Sequence, residues 1–404
     1  MVLDKNICLN NVMLKVSPRN KKNSLQFLPE VLVELSKNTN FQYKEHKLKT
    51  AYIIDIVHNL LLKYYFKKEN SFILSSVILK DKYGYLYNYY INFLRDNDIL
   101  KLQKNYLKGS NSRIYGLNEN ILTSHIYRYK NFDKVLIKKY IVKHLQFELD
   151  KSSIIHKDIK SKLVSDLYSV KIQFERSIFY LDLLKNDDID IYNRNKYSVD
   201  SINDKHIFYH FDSYGRMHTN FTILKSFIRK NCLLIDDEET CEIDINNSQP
   251  LFLCKLIKDS DTRWVKEDEF KLFSILVKGG NYYQYLIDNL EIKDKSEAKK
   301  LTYKVLFGHN RINSKSDKLF QSLFPSIHNF IKLYKKENSD YKILAYDLQK
   351  AESNLIFNCV IRRIMDLNMD IKIITVHDSI IVQKKWKDIV SNIFFNEIFE
   401  HFDK

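Results

Sequence analysis

The stretch CEIDINNSQPLFLCKLI, residues 241–257, carries the sharpest change of pattern in the chain. Its start alternates between polar and β-branched residues, which predicts a strand, and NNSQ then ends that strand before Pro250 opens an apolar helix. Asp244 therefore stands at the carboxyl end of a strand, on the opposite face from its two isoleucine neighbours. A carboxylate in this place can face a cleft, whereas an isolated acid on an edge strand is usually only solvated.

A second carboxylate stands in IKIITVHDSIIV, residues 371–382. Two β-branched runs are separated here only by His377 and Asp378, which predicts a hairpin with a two-residue turn and places Asp378 at its tip. A His-Asp pair also occurs in metal-dependent phosphohydrolases, but those carry it on a helix among further histidines. The β-branched flanks argue against that class.

The segment KDKSEAKKLTYKVLFG, residues 293–308, lies between the two acids. Lys295, Lys299, Tyr303 and Phe307 recur every four residues, so on a helix they follow one face. Two cations followed by two aromatic rings could bind a triphosphate at one end and stack a base at the other. The alternative is a lysine-coated surface helix whose aromatic residues turn towards the core.

The composition limits how this chain could hold phosphate. Only seven of its 404 residues are glycine, and none of them fits GxGxxG or GxxxxGK[ST]. Lysine and arginine total 65 against 50 acidic residues, a net charge of +15 that is typical of chains that meet polyphosphate. The five cysteines form no CxxC pair and no zinc-spaced cluster with histidine. Side chains, rather than a glycine loop, would have to bind a phosphate.

The apolar residues of the chain do not suggest a membrane protein. No apolar run approaches the roughly 20 residues that a bilayer span needs. The N-terminus lacks the basic, apolar and small-residue pattern of a secretory signal. We therefore expect no membrane partner and a cytoplasmic location, and the sequence indicates no particular protein partner.

Residues 51–125 predict a module that resembles a winged helix. A buried helix at 51–66 is followed by FILSSVILK, a turn at Gly84 and YLYNYYINFLRDN, which together predict helix, turn and helix. ILKLQ and SRIYGL then predict two strands. The hairpin between them, the wing, carries four cations that we expect to contact nucleic-acid phosphates: Lys101, Lys104, Lys108 and Arg113. The alternative is a solvated hairpin in a packing or dimerisation module.

The other N-terminal regions carry no recognisable chemistry. Residues 1–50 are polar and mixed, which predicts a loosely ordered arm. Residues 126–205 are basic and helix-like, which predicts a helical connector or a thumb-like region.

Taken in this order, the segments between about residues 214 and 382 resemble the palm and fingers of family A DNA polymerases and the related single-subunit phage-type RNA polymerases. EIDINNSQP resembles motif A of that family, which implies that Asp244 and the backbone carbonyl of Ile245 bind metal. TVHDS resembles motif C, which implies that Asp378 is the second metal-binding aspartate. The resemblance makes Asp244 and Asp378 the catalytic pair.

KSEAKKLTYKVLFG resembles motif B, the fingers helix of the same family. The resemblance places Lys299 where the family has its triphosphate-binding lysine, and Lys295 where it has an arginine one turn earlier. Phe307 and Gly308 match a Tyr-Gly pair, and Tyr303 matches the aromatic residue that contacts the incoming nucleotide. All five residues are therefore expected to bind nucleotide.

Three weaker similarities agree in order with these motifs. YGRMHTNFTILKSFIR resembles the segment before motif A, in which Arg216 matches an arginine at the primer end. LFPSIHNFI resembles a Tyr-Pro-Gly segment after the fingers helix, and LQKAESNLIFNCVIRRI resembles a helix before motif C, with Gln349 as its matching glutamine. Arg216, Gln349 and His377 are thus expected to contact primer or template.

The sequence also departs from the family pattern. Gln249 replaces the glutamate that blocks a ribose 2′-hydroxyl in the DNA enzymes, and Ser379 replaces the glutamate after the motif C aspartate. Gln249 remains a predicted nucleotide contact, but the choice between deoxyribose and ribose stays open. No acidic pair upstream suits a nuclease, so we expect no proofreading exonuclease.

The resemblance implies an α+β fold, with a polymerase palm of antiparallel sheet and helices at 206–404 and short helical fingers at about 265–335. It also implies two Mg²⁺ ions, for which Mn²⁺ can substitute, a DNA or RNA template with primer, and nucleoside triphosphates. The predicted activity is template-directed polymerisation, with DNA as the first choice of product. RNA polymerase or primase-polymerase activity, a template-independent nucleotidyltransferase and a catalytically silent winged-helix DNA-binding protein are the alternatives.

Overall fold

The computed structural model describes residues 24–105, 113–139, 155–185, 188–260, 265–310 and 314–403. Helices are combined with antiparallel strands, as an α+β fold requires. The chain divides into two compact units. The first comprises Met1–Lys151, Val170–His210 and Thr219–Asp237, and the second comprises Ser152–Ser169, Phe211–His218 and Glu238–Lys404. Because the chain passes repeatedly from one unit to the other, these units differ from the four consecutive regions expected from the sequence.

The strands are short, and their pairings are antiparallel. In chain order they are β1 (Ser24–Pro29), β2 (Asn40–Tyr43), β3 (His46–Lys49), β4 (Phe72–Ile73), β5 (Leu100–Lys104), β6 (Ile114–Leu117), β7 (Ile126–Asn131), β8 (Val170–Ile172), β9 (Tyr209–Phe211), β10 (Met217–Thr219), β11 (Leu233–Ile235), β12 (Glu238–Asp244), β13 (Ile374–Val376) and β14 (Ser379–Gln383). In the first unit β1 pairs with β7, β2 with β3, and β8 with β11. Strands β4, β6 and β5 form a three-stranded sheet in that order.

The first unit packs around a helix that is apolar on most sides. Its helices are Val33–Ser36, Thr50–Lys67, Ser76–Tyr83, Tyr87–Asp96, Glu119–Leu122, Phe174–Lys185, Ile189–Asn203, Asn220–Ile223 and Ser226–Cys232. Helix Thr50–Lys67 buries Ile53, Ile54, Val57, Leu61 and Leu62 completely. Such burial supplies most of the stability of a helix of this length.

A buried polar network crosses the same core. Asp55 is fully buried, and its carboxylate accepts hydrogen bonds from Gln26 Nε2 at 2.6 Å and from the Tyr83 hydroxyl at 2.7 Å. The Lys82 ammonium lies 2.7 Å from the same carboxylate. These partners compensate a charge that would otherwise be costly to bury, so they tie β1 and helix Ser76–Tyr83 to the central helix.

The secondary structure expected between residues 51 and 117 is present. The predicted first helix occupies Thr50–Lys67, and the helix–turn–helix occupies Ser76–Tyr83 and Tyr87–Asp96. Gly84 lies between these two helices at φ 80°, a left-handed conformation that favours glycine. Strands β5 and β6 follow as expected, while Lys108 at the tip of the predicted wing lies outside the described residues.

Two regions differ from expectation. Residues 126–131 were expected in a helical connector, yet they form strand β7, because β1 pairs with all six of them from Ser24↔Asn131 to Pro29↔Ile126. The described part of the predicted N-terminal arm is folded, since β1 buries Phe27 and Leu28 in the core. The pairing of these two strands is long-range, so local sequence did not reveal it.

The second unit combines a small sheet with many helices. Strands β13, β14 and β12 form an antiparallel arrangement in that order, and the pair β9 and β10 lies where the chain enters and leaves the unit. Its helices are Lys157–Asp166, Ser248–Asp259, Glu267–Lys278, Tyr282–Asn289, Lys295–Phe307, Lys315–Leu323, Pro325–Glu337, Ile343–Asn354, Arg362–Leu367 and Lys387–Asp403. A π-helical stretch, Leu355–Ile361, joins two of them.

Helix Lys295–Phe307, called the lysine helix below, is fixed at both ends. The Asp294 side chain accepts the Glu297 N–H at its start. At its end a Cβ on Gly308 would lie 2.2 Å from the Lys304 carbonyl oxygen, so only glycine fits there. The buried Lys335 ammonium donates to the carbonyls of Val305 at 2.8 Å and Gly308 at 2.9 Å. These carbonyls would otherwise lack partners within the helix.

A search of the described residues for membrane spans finds no helix that is both long and apolar enough to cross a bilayer.

Candidate active site

Asp244 and Asp378 lie at the same end of the sheet in the second unit. Asp244 is the last residue of β12 and pairs with Ser379 of β14, while Val376 of β13 also pairs with Ser379. The turn between β13 and β14 therefore contains only His377 and Asp378, and His377 adopts φ 55°. This confirms the predicted two-residue hairpin. Residues that pair across a ladder are about 5 Å apart at Cα, so the two aspartates are near neighbours.

The electrostatics of the pair indicate several carboxylates in one place. Burial, together with the negative charges of Glu352 and Asp244, raises the pKa of Asp378 to about 7. Arg216 acts in the opposite direction but does not cancel them. Asp244 itself is exposed, and Asp378 is partly buried. A cluster of this kind favours either protonation or a bound cation.

Glu352 is a central residue of the site that the sequence reasoning missed. It is 1% exposed, and its Oε1 accepts hydrogen bonds from Arg216 Nε at 3.0 Å and Nη2 at 2.5 Å. Its Oε2 accepts from Ser248 Oγ at 2.8 Å and Gln249 Nε2 at 2.5 Å. One carboxylate therefore joins the segment before β10 to the helix after β12. The available signal was an acid three residues after Gln349, on the helix before the second β-branched run.

The turn that delivers Arg216 is also closely packed. Gly215 has φ 87°, and a Cβ there would lie 3.2 Å from Ser353 Cβ. On one side of it, Tyr214 stacks on Tyr346 with ring centroids 4.4 Å apart and an interplanar angle of 13°. Helix Ile343–Asn354 thus holds this turn by a stacked ring, a close backbone approach and the Arg216–Glu352 ion pair. Arg216 is placed firmly beside the acidic cluster.

The lysine helix brings an aromatic pair to the same cluster. The rings of Tyr303 and Phe307 stack at 5.5 Å with an interplanar angle of 17°, and Tyr303 remains 40% exposed. Burial raises the pKa of the Tyr303 hydroxyl, and the carboxylates of Asp378 and Glu352 raise it further. The alternative in which both rings turn into the core does not hold for Tyr303. A stacked pair with an exposed Tyr303 ring and a partly buried Phe307 ring is a suitable platform for a base.

The two predicted phosphate-binding lysines are both exposed. Lys299 lies one turn before Tyr303, with its Nζ 5.7 Å from the ring centroid of Tyr283. Burial raises the pKa of Tyr283, and nearby Tyr303 and Asp378 also raise it, so this ring faces the cluster as well. Lys295 is the first residue of the lysine helix, one turn further from Tyr303. The lysine helix therefore carries its two cations and then its two aromatic rings along one face, in the order that was predicted.

Three further predicted site residues are close in sequence to the acidic pair or to Glu352. His377 is exposed at the hairpin tip, with its ring centroid 6.2 Å from that of His218, and His218 Nε2 lies 2.8 Å from Asp212 Oδ2. Gln349 is partly buried, one helical turn before Glu352, and Ile245 follows β12 and is buried. Their expected contacts with primer, template and metal remain predictions.

The carboxylates of Asp244 and Asp378 suit Mg²⁺, but they do not by themselves form a complete set of ligands. Among the described residues no group of three or more His, Cys, Asp or Glu side chains is arranged to hold a metal ion. Mg²⁺ commonly uses only one or two protein carboxylates and takes its other ligands from water and substrate phosphates. The pKa of Asp378 is raised first by burial and then by the charges of Glu352 and Asp244, and a divalent cation would relieve the repulsion among these carboxylates. Asp244 and Asp378 therefore fit the predicted metal.

The first unit presents the predicted wing cations to solvent. Lys101, Lys104 and Arg113 are all exposed on or beside β5 and β6. Helix Tyr87–Asp96 is instead partly covered by the β2–β3 hairpin, because Phe93 packs against Phe41 with ring centroids 4.6 Å apart. The exposed cations of this module therefore include these three on its strands and also Lys80 and Arg95 on its helices.

A comparison of the sequence with protein-family models finds no matching family, and a comparison with curated proteins also finds no match.

Proposed function

We propose that this protein is a template-directed nucleic-acid polymerase that adds nucleotides to a 3′-hydroxyl. The observation that carries the proposal is the meeting of Asp244 and Asp378 at one end of a sheet, where burial, Glu352 and Asp244 together raise the pKa of Asp378. Tyr303 of the lysine helix faces the same carboxylates. This arrangement of acids, cations and stacked rings is what phosphoryl transfer from a nucleoside triphosphate requires. The sheet and the helices at 267–337 would serve as palm and fingers.

Each group has a defined part in this proposal. Asp244 and Asp378 would hold divalent cations, which when bound activate a 3′-hydroxyl and neutralise the departing pyrophosphate. Lys299 and Lys295 would bind the triphosphate through charge-assisted hydrogen bonds. Tyr303 and Phe307 would stack on the incoming base. The chain's main contribution is to position the reactants and to neutralise charge.

The first unit supports the nucleic-acid side of the proposal. Its order of helix, β4, two helices, β5 and β6, with the sheet order β4, β6, β5, suits a winged-helix module. Three exposed cations lie on or beside its strands, and exposed Arg95 lies on helix Tyr87–Asp96, which a hairpin partly covers. Such a module would contact the phosphate backbone and not read base sequence. We propose DNA as the first product to test, with RNA or a primer as the alternative.

The proposal is tested by incubating the full chain with Mg²⁺ and primed or unprimed single-stranded DNA, with dNTPs and NTPs in separate reactions. Elongated primer is the expected result. Product from unprimed template would instead identify a primase-polymerase, and untemplated addition would identify a terminal transferase.

The test variant is Asp244→Asn, and its matched control is Asp366→Asn, which changes another exposed acid. We expect Asp244→Asn to lose at least about a thousandfold in activity, because one ligand of the cation is removed. Asp366→Asn should retain full activity. Activity that persists in Asp244→Asn would contradict the proposed site, and the absence of product in every reaction, with DNA binding intact, would favour the non-catalytic DNA-binding alternative.

A further inference from the structure

One buried cation holds the carboxyl-terminal end of the lysine helix. Lys335 is 2% exposed, and its ammonium donates to the carbonyl of Val305 at 2.8 Å and to that of Gly308 at 2.9 Å. These two carbonyls bracket Phe307 in sequence. Charge-assisted hydrogen bonds are stronger than neutral ones, and a cation also suits the negative end of a helix dipole. Lys335 therefore fixes the backbone that carries the Phe307 ring.

The amino-terminal half of the lysine helix depends on other contacts. The Asp294 side chain accepts the N–H of its first turn, and the Thr302 hydroxyl lies 3.1 Å from the buried Tyr282 hydroxyl. Lys299 lies between these two anchored positions in sequence. Loosening of the last turn should therefore leave Lys299 almost unmoved.

The aromatic pair is the part of the candidate site that depends on the last turn. The rings of Tyr303 and Phe307 stack with their centroids 5.5 Å apart, and the Gly308 N–H donates to the Lys304 carbonyl at 2.9 Å to close this turn. Carbonyl groups at a helix end that lack partners allow the end to fray. Without the Lys335 ammonium, the Phe307 ring should lose its fixed position against the Tyr303 ring.

We propose, resting on the function proposed above, that Lys335 is a positioning residue for the incoming nucleotide, because it keeps the rings of Tyr303 and Phe307 stacked where the base binds. Lys335 does not contact the nucleotide in this proposal. It acts through the backbone of the lysine helix, so its loss should remove the contribution of the base to binding and retain that of the triphosphate.

The charge on which this role depends is sensitive to mildly alkaline pH. Burial, together with the charge of Lys332, lowers the pKa of Lys335 from 10.5 to about 8, while the carboxylate of Asp317 acts in the opposite direction. Lys332 is itself paired with Asp317 at 2.8 Å. His328 on the same helix is neutral in this range, because burial lowers its pKa from 6.5. The ammonium form of Lys335 is therefore lost as the pH rises from about 7 to 9.

Two acids from other helices contact different parts of the helix that carries Lys335. Glu269 accepts the N–H groups at the start of that helix, and Asp347 accepts the Tyr334 hydroxyl at 2.8 Å. The charges that act on the pKa of Lys335 are instead those of Lys332 and Asp317.

Nucleotide binding and stability should respond to this titration in opposite directions. A lysine whose pKa is lower in the folded chain than in the unfolded chain binds fewer protons when folded. Its contribution to the free energy of unfolding therefore grows as the pH rises from about 8 to 10. The neutral amine still donates hydrogen bonds, but its bonds to the two carbonyls are weaker. A loss of nucleotide binding at alkaline pH would therefore not reflect unfolding at Lys335.

The wild-type chain can be tested without catalysis. Equilibrium binding of dATP and of inorganic tripolyphosphate, which has no base, is measured with Mg²⁺ at pH 7 and pH 9 in the absence of primer and template. We expect the affinity for dATP to fall about three- to tenfold at pH 9, and that for tripolyphosphate to change by less than about twofold. An equal response of both ligands, an unchanged affinity for dATP, or no binding of dATP would overturn the inference.

Variants at position 335 separate the charge from the packing. Lys335→Met removes the ammonium, so it should bind dATP at pH 7 as weakly as the wild type does at pH 9 and lose nothing further at pH 9. Lys335→Arg keeps its charge at pH 9 and should retain the affinity for dATP there. The matched control Lys336→Met removes an exposed neighbouring charge and should behave as the wild type. Equal losses of dATP and tripolyphosphate affinity in Lys335→Met would show a merely structural role and contradict the proposal.

The folding of the variants and the reaction itself complete the test. If circular dichroism shows that a variant at 335 does not fold, the wild-type pH series decides alone. A selective loss of dATP affinity in Lys335→Met, without primer extension by the wild type, would overturn the proposed polymerase activity and leave this inference standing. Primer extension with the same KM for dATP in Lys335→Met and in the wild type at pH 7 would overturn the inference and leave the polymerase activity standing.

Discussion

Asp244 lies directly across the β12–β14 ladder from Ser379. Because Asp378 immediately precedes Ser379, this single pairing brings together two carboxylates from opposite ends of the second unit's main segment. A shift of the pairing by one residue would turn Asp244 to the other face of the sheet. The register of β12 against β14 is therefore what creates the acidic pair, and it also places the pair beside Glu352 and Tyr303.

Lys299→Gln should weaken the use of nucleotide. Lys299 is exposed on the face of the lysine helix that also carries Tyr303, and charge-assisted hydrogen bonds to phosphate typically contribute about 1.5–3 kcal/mol. We expect the KM for nucleotide to rise by about ten- to hundredfold in steady-state primer extension. The neighbouring variant Lys300→Gln removes an equally exposed charge from a different face and should leave KM within about twofold. Equal effects of both variants would show that only net charge matters.

Asp378→Asn should stabilise the chain at high pH. The pKa of Asp378 is raised to about 7 from 3.8, so its contribution to stability is full below about pH 4 and is lost as the pH rises towards 7. Asparagine does not titrate. In EDTA, the free energy of unfolding of Asp378→Asn should therefore exceed that of the wild type. The difference should grow from near zero at pH 4 to at most about 3 kcal/mol at pH 8. Thermal unfolding across this range measures it.

The wild type and Asp378→Asn also show whether a divalent cation binds at the acidic pair. Because a ligand that binds only the folded state stabilises it, Mg²⁺ at pH 8 should raise the melting temperature of the wild type and not that of Asp378→Asn. The exposed-acid variant Asp366→Asn should respond to both pH and Mg²⁺ as the wild type does. A wild-type melting temperature that is insensitive to Mg²⁺ would count against a cation at this pair.

His58→Asn should make the first unit less sensitive to mild acid. Burial lowers the pKa of His58 from 6.5 to about 3, and its Nδ1 accepts the Phe27 N–H at 2.9 Å. The neutral ring is therefore fully stabilising above about pH 6.5, and that stability is lost as the pH falls towards 3. At pH 5 the loss relative to pH 7 is about 2 kcal/mol. An asparagine oxygen can replace Nδ1 as acceptor without titrating, and exchange of the Phe27 amide at pH 5 and 7 compares the two.

Removing the wing cations should reduce the salt dependence of DNA binding. Each phosphate contact contributes about 0.9 to the slope of log affinity against log salt. Replacing Lys101, Lys104 and Arg113 together by glutamine should lower that slope by about 2–3 on duplexes of unrelated sequence. The exposed pair Lys134 and Lys138 of the same unit serves as control, and its replacement should change the slope by less than 1. A reduction confined to one DNA sequence would contradict backbone contact.

The local elements were the most predictable features of this chain. Alternation around Asp244, the two-residue interval between β-branched runs at 371–382, and the four-residue spacing of the lysine helix each depend on neighbours in sequence. Strand β12, the β13–β14 hairpin and helix Lys295–Phe307 accordingly appear where they were expected. Strand β7 was missed because its partner β1 is about a hundred residues away, and no local pattern reports such a partner.

The linear order of residues was sufficient to nominate Asp244 and Asp378, because Asp244 ends a strand and Asp378 lies in a hairpin turn, and both patterns are short-range. It could not show that Glu352 is buried among Arg216, Ser248 and Gln249, nor that these contacts leave one amide oxygen without a partner. Hydrogen-bond satisfaction and pKa shifts depend on which groups meet in space after burial. Those relationships are set by packing between distant segments, so only the tertiary structure could decide them.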